Sequence, residues 1–154
     1  MAESHAELRV DLVDWAKHEP AIRAVREAVF IREQGVPVDL EWDGLDPLCM
    51  HLLAWSDRGE PIGTARMRAE GKIERMAVLE SWRGRGVGRA LLRTLVELAA
   101  RRGLVRVTLA AQTHAVGFYE RAGFRPVGDL FMDAGIPHRL MVRDLPLPKA
   151  GEKA

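Results

Sequence analysis

Apolar residues along this chain follow two rhythms, and the changes between them mark out its elements. Residues 7–13 alternate, with Leu8, Val10 and Leu12 set against Arg9, Asp11 and Val13, which predicts a first strand. From Pro20 to Gln34 the spacing changes: Ile22, Val25, Val29 and Phe30 recur at three and four, predicting a helix that Gly35 stops. Residues 35–47 carry Asp39, Glu41, Asp43 and Asp46 among prolines and glycines and predict a loop or a short irregular helix. Three strands follow over 48–56, 61–68 and 72–79, and the turns Asp57-Arg58-Gly59 and Glu70-Gly71 are short enough to make antiparallel hairpins of them.

The best amphipathic stretch runs from Val87 to Arg101. Val87, Leu91, Leu95 and Leu98 form one stripe, and Arg93, Glu97 and Arg101 form an i, i+4 charge ladder outside it. Gly103 ends this helix, and residues 104–111 predict a strand apolar enough to be buried on both faces, as a parallel neighbour would be. Thr113 is expected to cap a helix over 114–122, closed by Gly123 with Phe124 behind it. Strands over 125–132 and 138–145, joined around Gly135-Ile136-Pro137, complete the order β-α-loop-β-β-β-α-β-α-β-β. The fold class is therefore α/β, an α+β type of mixed sheet with flanking helices. Residues 1–145 read as a single domain and 146–154 as a flexible tail.

Composition narrows the classes. With 154 residues the chain can bury a core without staples, and its formal charge of +1 argues against a nucleic-acid partner. The single cysteine, Cys49, forms no disulfide within the chain and suits a reducing cytoplasm. No apolar run approaches the roughly 18 residues of a membrane span, so a cytoplasmic protein without a membrane partner is expected. No cluster of His, Cys and carboxylates has ligand spacing, so no metal is expected, and His51, on an apolar strand, reads as a satisfied core histidine.

The chemistry gathers where strand 72–79 runs through Arg83-Gly84-Arg85-Gly86-Val87-Gly88 into the amphipathic helix. A helix start offers unpaired backbone NH groups and the positive end of a dipole, so it normally carries acids. Here Arg83, Arg85 and Arg89 crowd it instead, a conflict that a bound anion would relieve. A nucleoside-triphosphate loop would need Lys and then Ser or Thr after the last glycine, and Arg89-Ala90 stands there. A dinucleotide site would need an acid about 20 residues on, in a region that is basic in this chain.

The hexapeptide resembles the pyrophosphate signature of the GNAT superfamily of acyl-CoA N-acyltransferases, Gln/Arg-x-x-Gly-x-Gly/Ala, with Arg83, Gly86 and Gly88 in register. The element order is similar too. So is the segment from Gln112 to Phe124, which matches Asn-x-x-Ala-x-x-x-Tyr-x-x-x-Gly-Phe at Tyr119, Gly123 and Phe124, with Gln112 where Asn is usual. Taken whole, including Glu33-Gln34 and Gly135-Ile136-Pro137-His138, the chain looks most like the small ElaA-like proteins of that superfamily.

The resemblance implies a mixed central sheet whose two parallel strands splay apart, with acetyl-CoA as co-substrate in the gap. It places the pantetheine arm along backbone groups of Met76, Ala77 and Val78, and the phosphates at Arg83, Gly84, Arg85, Gly86, Val87, Gly88 and Arg89, with Gln112 near the arm. Transfer from a thioester to an amine needs a neutral amine, a donor to the oxyanion and a proton for the thiolate. Tyr119, the one tyrosine, is the candidate proton donor, and a backbone NH near Met76 or Ala77 the oxyanion donor. Without the resemblance Tyr119 would read as an aromatic packed between helix and sheet. Glu74 is read two ways: as a base sharing a face with Met76 and Val78, or as an ion-pair partner of Arg66 or Arg68. Glu33, His114 and His138 are candidate acceptor-binding residues and alternative bases.

Six acids and no Lys or Arg lie between Glu33 and Asp57, against seven arginines and one acid between Arg83 and Arg106. That asymmetry is read two ways: as phosphates at one end and a small-molecule or peptide amine at the other, or as an acidic loop that is simply solvated. The expected activity is N-acetyl transfer by direct attack in a ternary complex. The competing expectation is a non-catalytic acyl-CoA sensor, which would keep the glycine loop but not require Tyr119. A homodimer through the last strands is compatible with both.

Overall fold

The computed structural model describes residues 8–146; Glu7 of the first expected strand and residues 147–154 of the expected tail lie outside the described residues. Seven strands form one sheet: β1 (Arg9–Val13), β2 (Met50–Trp55), β3 (Pro61–Met67), β4 (Lys72–Val78), β5 (Arg106–Gln112), β6 (Arg125–Asp133) and β7 (Ile136–Asp144), in spatial order β1-β2-β3-β4-β5-β7-β6. All neighbours are antiparallel except β4 and β5, which are parallel and pair only at Lys72↔Thr108 and Ile73↔Leu109. Beyond that point they diverge, so the sheet contains a V-shaped gap. As a result β5 is not buried on both faces: Val107, Leu109 and Ala111 are buried, while Ala110 is exposed toward the gap.

One helix, α3 (Val87–Arg101), covers one face, burying Val87, Leu91, Leu92, Leu95, Val96 and Ala99 on Leu52, Ala65, Met67 and Ile73. The contact is close because β3 carries Gly63, where a Cβ would stand 2.9 Å from Val87 Cγ1. Arg93, Glu97 and Arg101 lie outside as expected, yet no ion pair among the described residues joins them.

The opposite face is covered by α1 (Trp15–Arg26), which continues as a π-helix through Glu27–Glu33. It starts at Trp15, not at Pro20, because Asp14 caps it by accepting from the Lys17 N–H, and Pro20 sits exposed within the helix. The π register is visible in the bond from Gln34 N–H to the Val29 carbonyl, and Gly35, at φ 72°, ends the run. A short α2 (Val38–Glu41) and a 3-10 turn (Asp46–Leu48) fill the acidic stretch. Past β5, a 3-10 turn (Thr113–Ala115) leads into α4 (Val116–Arg121), and Thr113 makes no capping bond.

Candidate active site

The glycine loop leaves its backbone open on one side. Gly84 and Gly86 adopt φ of 76° and 86°, and a Cβ on either would meet nothing within 4 Å, so the space before the backbone is open. The first turn of α3 has neither an acid nor a side-chain cap. Its NH groups are thus available to phosphate oxygens.

A cleft of about 900 Å³ begins at this loop and follows the gap between β4 and β5. It brings together most of the residues picked out in the sequence: the backbone of Met76, Ala77 and Val78, then Arg83, Gly84, Gly86, Val87, Gly88 and Arg89, and beyond them Glu74, Gln112 and Tyr119. Glu33, His114 and His138 line it as well. Arg85 does not; its guanidinium sits 4.8 Å over the Trp82 ring.

β4 itself is irregular. Thr64 pairs with Ala77 and Arg66 with Glu74, so Ala65 on β3 faces two residues, Arg75 and Met76. This is a β-bulge, with Arg75 in the left-handed region at φ 54°. The bulge interrupts the ladder to β3 just where β5 has parted from the other edge, leaving backbone groups near Met76 and Ala77 facing the cleft.

The same bulge overturns the expectation that Glu74 shares a face with Met76 and Val78. An extra residue reverses the alternation. Glu74 is paired with Arg66, on the α1 side, whereas Met76 and Val78 pack against the core under α3. Glu74 is held by Arg66 at 2.9 Å and Arg68 at 2.8 Å. Burial would raise its pKa, but the bonds from Arg68 and Arg66 outweigh it and hold the carboxyl below its ordinary value.

Arg66 and Arg26, both under 2% exposed, sit at the centre of a buried ionic cluster. Arg26 binds Glu41 and Asp46, and Arg66 binds Asp43, Asp46 and Glu74. Arg75 at the bulge reaches Glu41 and Asp43. Glu41 is pushed up by burial despite its arginines, while bonds from Arg66 depress Asp43. Asp46 also ends low, because Arg26 and Arg66 outweigh its burial. Four of the six acids, Glu33 included, are thus already ion-paired, and the acidic stretch anchors α2 to the sheet instead of standing as a field for an amine.

Two ties cross the mouth of the cleft from the end of α1. Glu33 receives Arg83 Nη1 and Nη2 at 2.6 Å each, and Arg83 Nε donates to the Val78 carbonyl. Gln34 Oε1 accepts from Gln112 Nε2 at 2.9 Å. Gln34 and Arg75 were not singled out for the site from sequence. Gln34, adjacent to Glu33 at the helix stop, carried a positional hint, but nothing local marks Arg75 as left-handed.

Tyr119, on α4, is packed between Phe118 and Phe124, and its hydroxyl lies 3.8 Å from Met76 Sδ. Burial pushes its pKa up to about 12. His51, 1% exposed, bonds through Nε2 to the Asp46 carbonyl while Nδ1 has no partner among the described residues, and burial lowers its pKa. Cys49, whose Sγ–H points to the Leu45 carbonyl, has its pKa raised by burial and lies outside the cleft.

With its mixed sheet opened between the parallel strands and a glycine loop and uncapped helix at the gap, the chain belongs to the GNAT family, whose acetyltransferase domain matches residues 48–145. Its resemblance to ElaA-like members holds. The crystal structure of Escherichia coli ElaA superposes with a TM-score of 0.80 at 29% identity, covering 89% of this chain and 99% of that one. The uncharacterized N-acetyltransferase YjcF of Bacillus subtilis is 42% identical over 124 residues, 78% of this chain and 88% of YjcF. An acyl-CoA N-acyltransferase from Pseudomonas aeruginosa has a TM-score of 0.78 at 31% identity, over 89% and 99% of the two chains. Among the described residues no helix is long and apolar enough to cross a membrane.

Proposed function

We propose that the protein transfers the acetyl group of acetyl-CoA to a primary amine of a small molecule or peptide, by direct attack in a ternary complex. The observation that carries this reading is the convergence on one gap of the open glycine cradle, the bulged strand and the Tyr119 hydroxyl. The residues suit acyl-CoA: Arg83, Arg89 and the NH groups opening α3 would hold the pyrophosphate, and the exposed edge of β4 would bond the pantetheine amides. A bound acyl-CoA supplies the thioester carbonyl and a thiol leaving group.

The chain's own groups supply the rest. A backbone NH at the bulge, near Met76 or Ala77, would stabilise the oxyanion. Tyr119, kept protonated by its surroundings, would give its proton to the departing sulfur. Arg83 would leave Glu33 for the phosphates, freeing that carboxylate at the acceptor end, where His114 and His138 also lie. Cys49 is outside the cleft, in keeping with a route that has no acyl-enzyme. The test is release of CoA thiol from acetyl-CoA against a panel of primary amines and N-terminal peptides, with mass spectrometry of the acetylated product. Release that depends on an amine supports the reading; tight CoA binding without transfer to any amine would instead fit an acyl-CoA sensor.

A further inference from the structure

Neither Tyr119 nor a backbone NH removes the proton that the amine nitrogen must lose. The base for that proton belongs on the side from which the amine arrives. Tyr119 packs with Met76 in the core cluster under α3. The other side of the gap, below the end of α1, carries Gln112 and His138, directly paired across β5 and β7. From this placement we propose that His138 is the general base for the acceptor amine, a role that rests on the acyl-transfer reading above.

His138 is 9% exposed, lines the cleft and stacks on Phe131 with ring centroids 5.9 Å apart. Its Nδ1 lies 2.7 Å from the Ile136 carbonyl oxygen. A carbonyl only accepts, so in the neutral ring Nδ1 carries the proton and Nε2 the lone pair. No hydrogen bond among the described residues engages Nε2. Besides Tyr119 and the arginines, the titratable groups that line the cleft with it are His114 of the 3-10 turn, Asp133 at the end of β6, Glu33 of the π-helix, tied to Arg83, Lys72, and Glu41 and Glu74 of the ionic cluster. Arg139, the next residue on β7, points to the other face and donates to the Gly128 carbonyl. The rival carboxylate, Glu74, has guanidinium partners on both oxygens, which makes it a poor proton acceptor.

In this step the amine lone pair forms the C–N bond at the thioester carbon and the C–S bond breaks with its electrons going to sulfur. His138 Nε2 takes the proton leaving nitrogen, and the Tyr119 hydroxyl gives its proton to sulfur. The imidazolium and the phenolate then return to neutrality through water, so protons and charge balance. Base and acid thus stand on opposite faces of the sheet, one toward the incoming nitrogen and one toward the leaving sulfur.

Two variants test it. In His138→Asn the side-chain amide can still donate to Ile136 while Nε2 is gone; His138→Gln guards against a folding defect in the first. With acetyl-CoA and benzylamine as probes, both variants should lose about 10²- to 10⁴-fold in kcat at neutral pH and should lose the acid limb of the pH profile, with the KM for acetyl-CoA unchanged. Nitrogen-15 spectra of the histidines, with His138→Asn as the assignment reference, should find Nδ1 protonated and Nε2 bare at neutral pH. An acid limb that survives in both variants, or an Nε2-protonated tautomer, overturns the proposal, and the tautomer decides even if benzylamine is not turned over. Failure of the acyl-transfer reading is separable: there the wild type itself would release no CoA thiol from acetyl-CoA with any amine of the panel, whether or not acetyl-CoA raises its melting temperature.

Discussion

Tyr119 concentrates the chemical argument at the scale of single residues. Its ring is fixed by Phe118 and Phe124, and among the described residues its hydroxyl has no stronger hydrogen-bond partner than the Met76 sulfur, a weak acceptor. Loss of the hydroxyl should therefore cost little in packing and much in chemistry. Tyr119→Phe is expected to lower kcat about 10²- to 10⁴-fold while leaving the Kd for CoA, read by calorimetry, unchanged. An equal loss in both quantities would mean that the residue only shapes the cleft. The raised pKa has a consequence for stability as well. A folded value of about 12 against 10 unfolded means that the folded state holds this proton more tightly. The contribution is fully present below pH 10 and is lost as pH rises toward 12, a fall that Tyr119→Phe should abolish in urea titrations across that window.

Among elements, the bulged β4 and the acidic stretch set the shape of the site. The order of strands and helices could be read from the sequence because each carries its own apolar period, and the parallel β4-α3-β5 unit was legible from its length and composition. The bulge was not, since an arginine with positive φ leaves no compositional mark, and the partners of Arg75, Glu41 and Asp43, lie more than 30 residues away in the chain. The acids between β1 and β2 were visible as a cluster, but their partners Arg26 and Arg66 are distant in sequence, so a neutralised anchor read as an exposed field. Motif and chain order were enough to bring Gly84, Gly86 and Tyr119 to one cleft, whereas the face of Glu74 depended on the bulge; of its two readings, the pairing with Arg66 and Arg68 is the one the structure shows.

Arg66→Met leaves Asp43, Asp46 and Glu74 without their shared partner and should cost about 3–5 kcal/mol in chemical denaturation. Asp43, Asp46 and Glu74 all have depressed pKa values in the folded state. Their stabilisation is present above the unfolded carboxylate range, near pH 4, and is lost as pH falls through the folded values, with Glu41, raised by burial, opposing the trend. Wild-type stability should therefore decline below about pH 4, and more steeply than in Arg66→Met.

For the whole molecule, the two ties from the end of α1 join both arms of the splayed sheet across the cleft. Gln34 holds the end of β5, and Glu33 holds the loop that should receive phosphates. Because Glu33 and phosphate would compete for one guanidinium, Glu33→Gln should bind CoA more tightly, not less. The pair is exposed and so worth at most about 1 kcal/mol, which sets the gain at no more than roughly fivefold. Weaker binding in that variant would mean that Glu33 supports the loop and does not compete with the ligand.

Thermal unfolding with and without CoA decides whether the gap between β4 and β5, with its glycine loop, is an acyl-CoA site. At 100 times its Kd, CoA should stabilise the wild type by about 2.7 kcal/mol, with the shift reduced in Arg83→Ala and in Gly86→Ala, whose methyl group projects into the open cradle. An unchanged melting temperature in the wild type at saturating CoA would mean that the gap is not an acyl-CoA site.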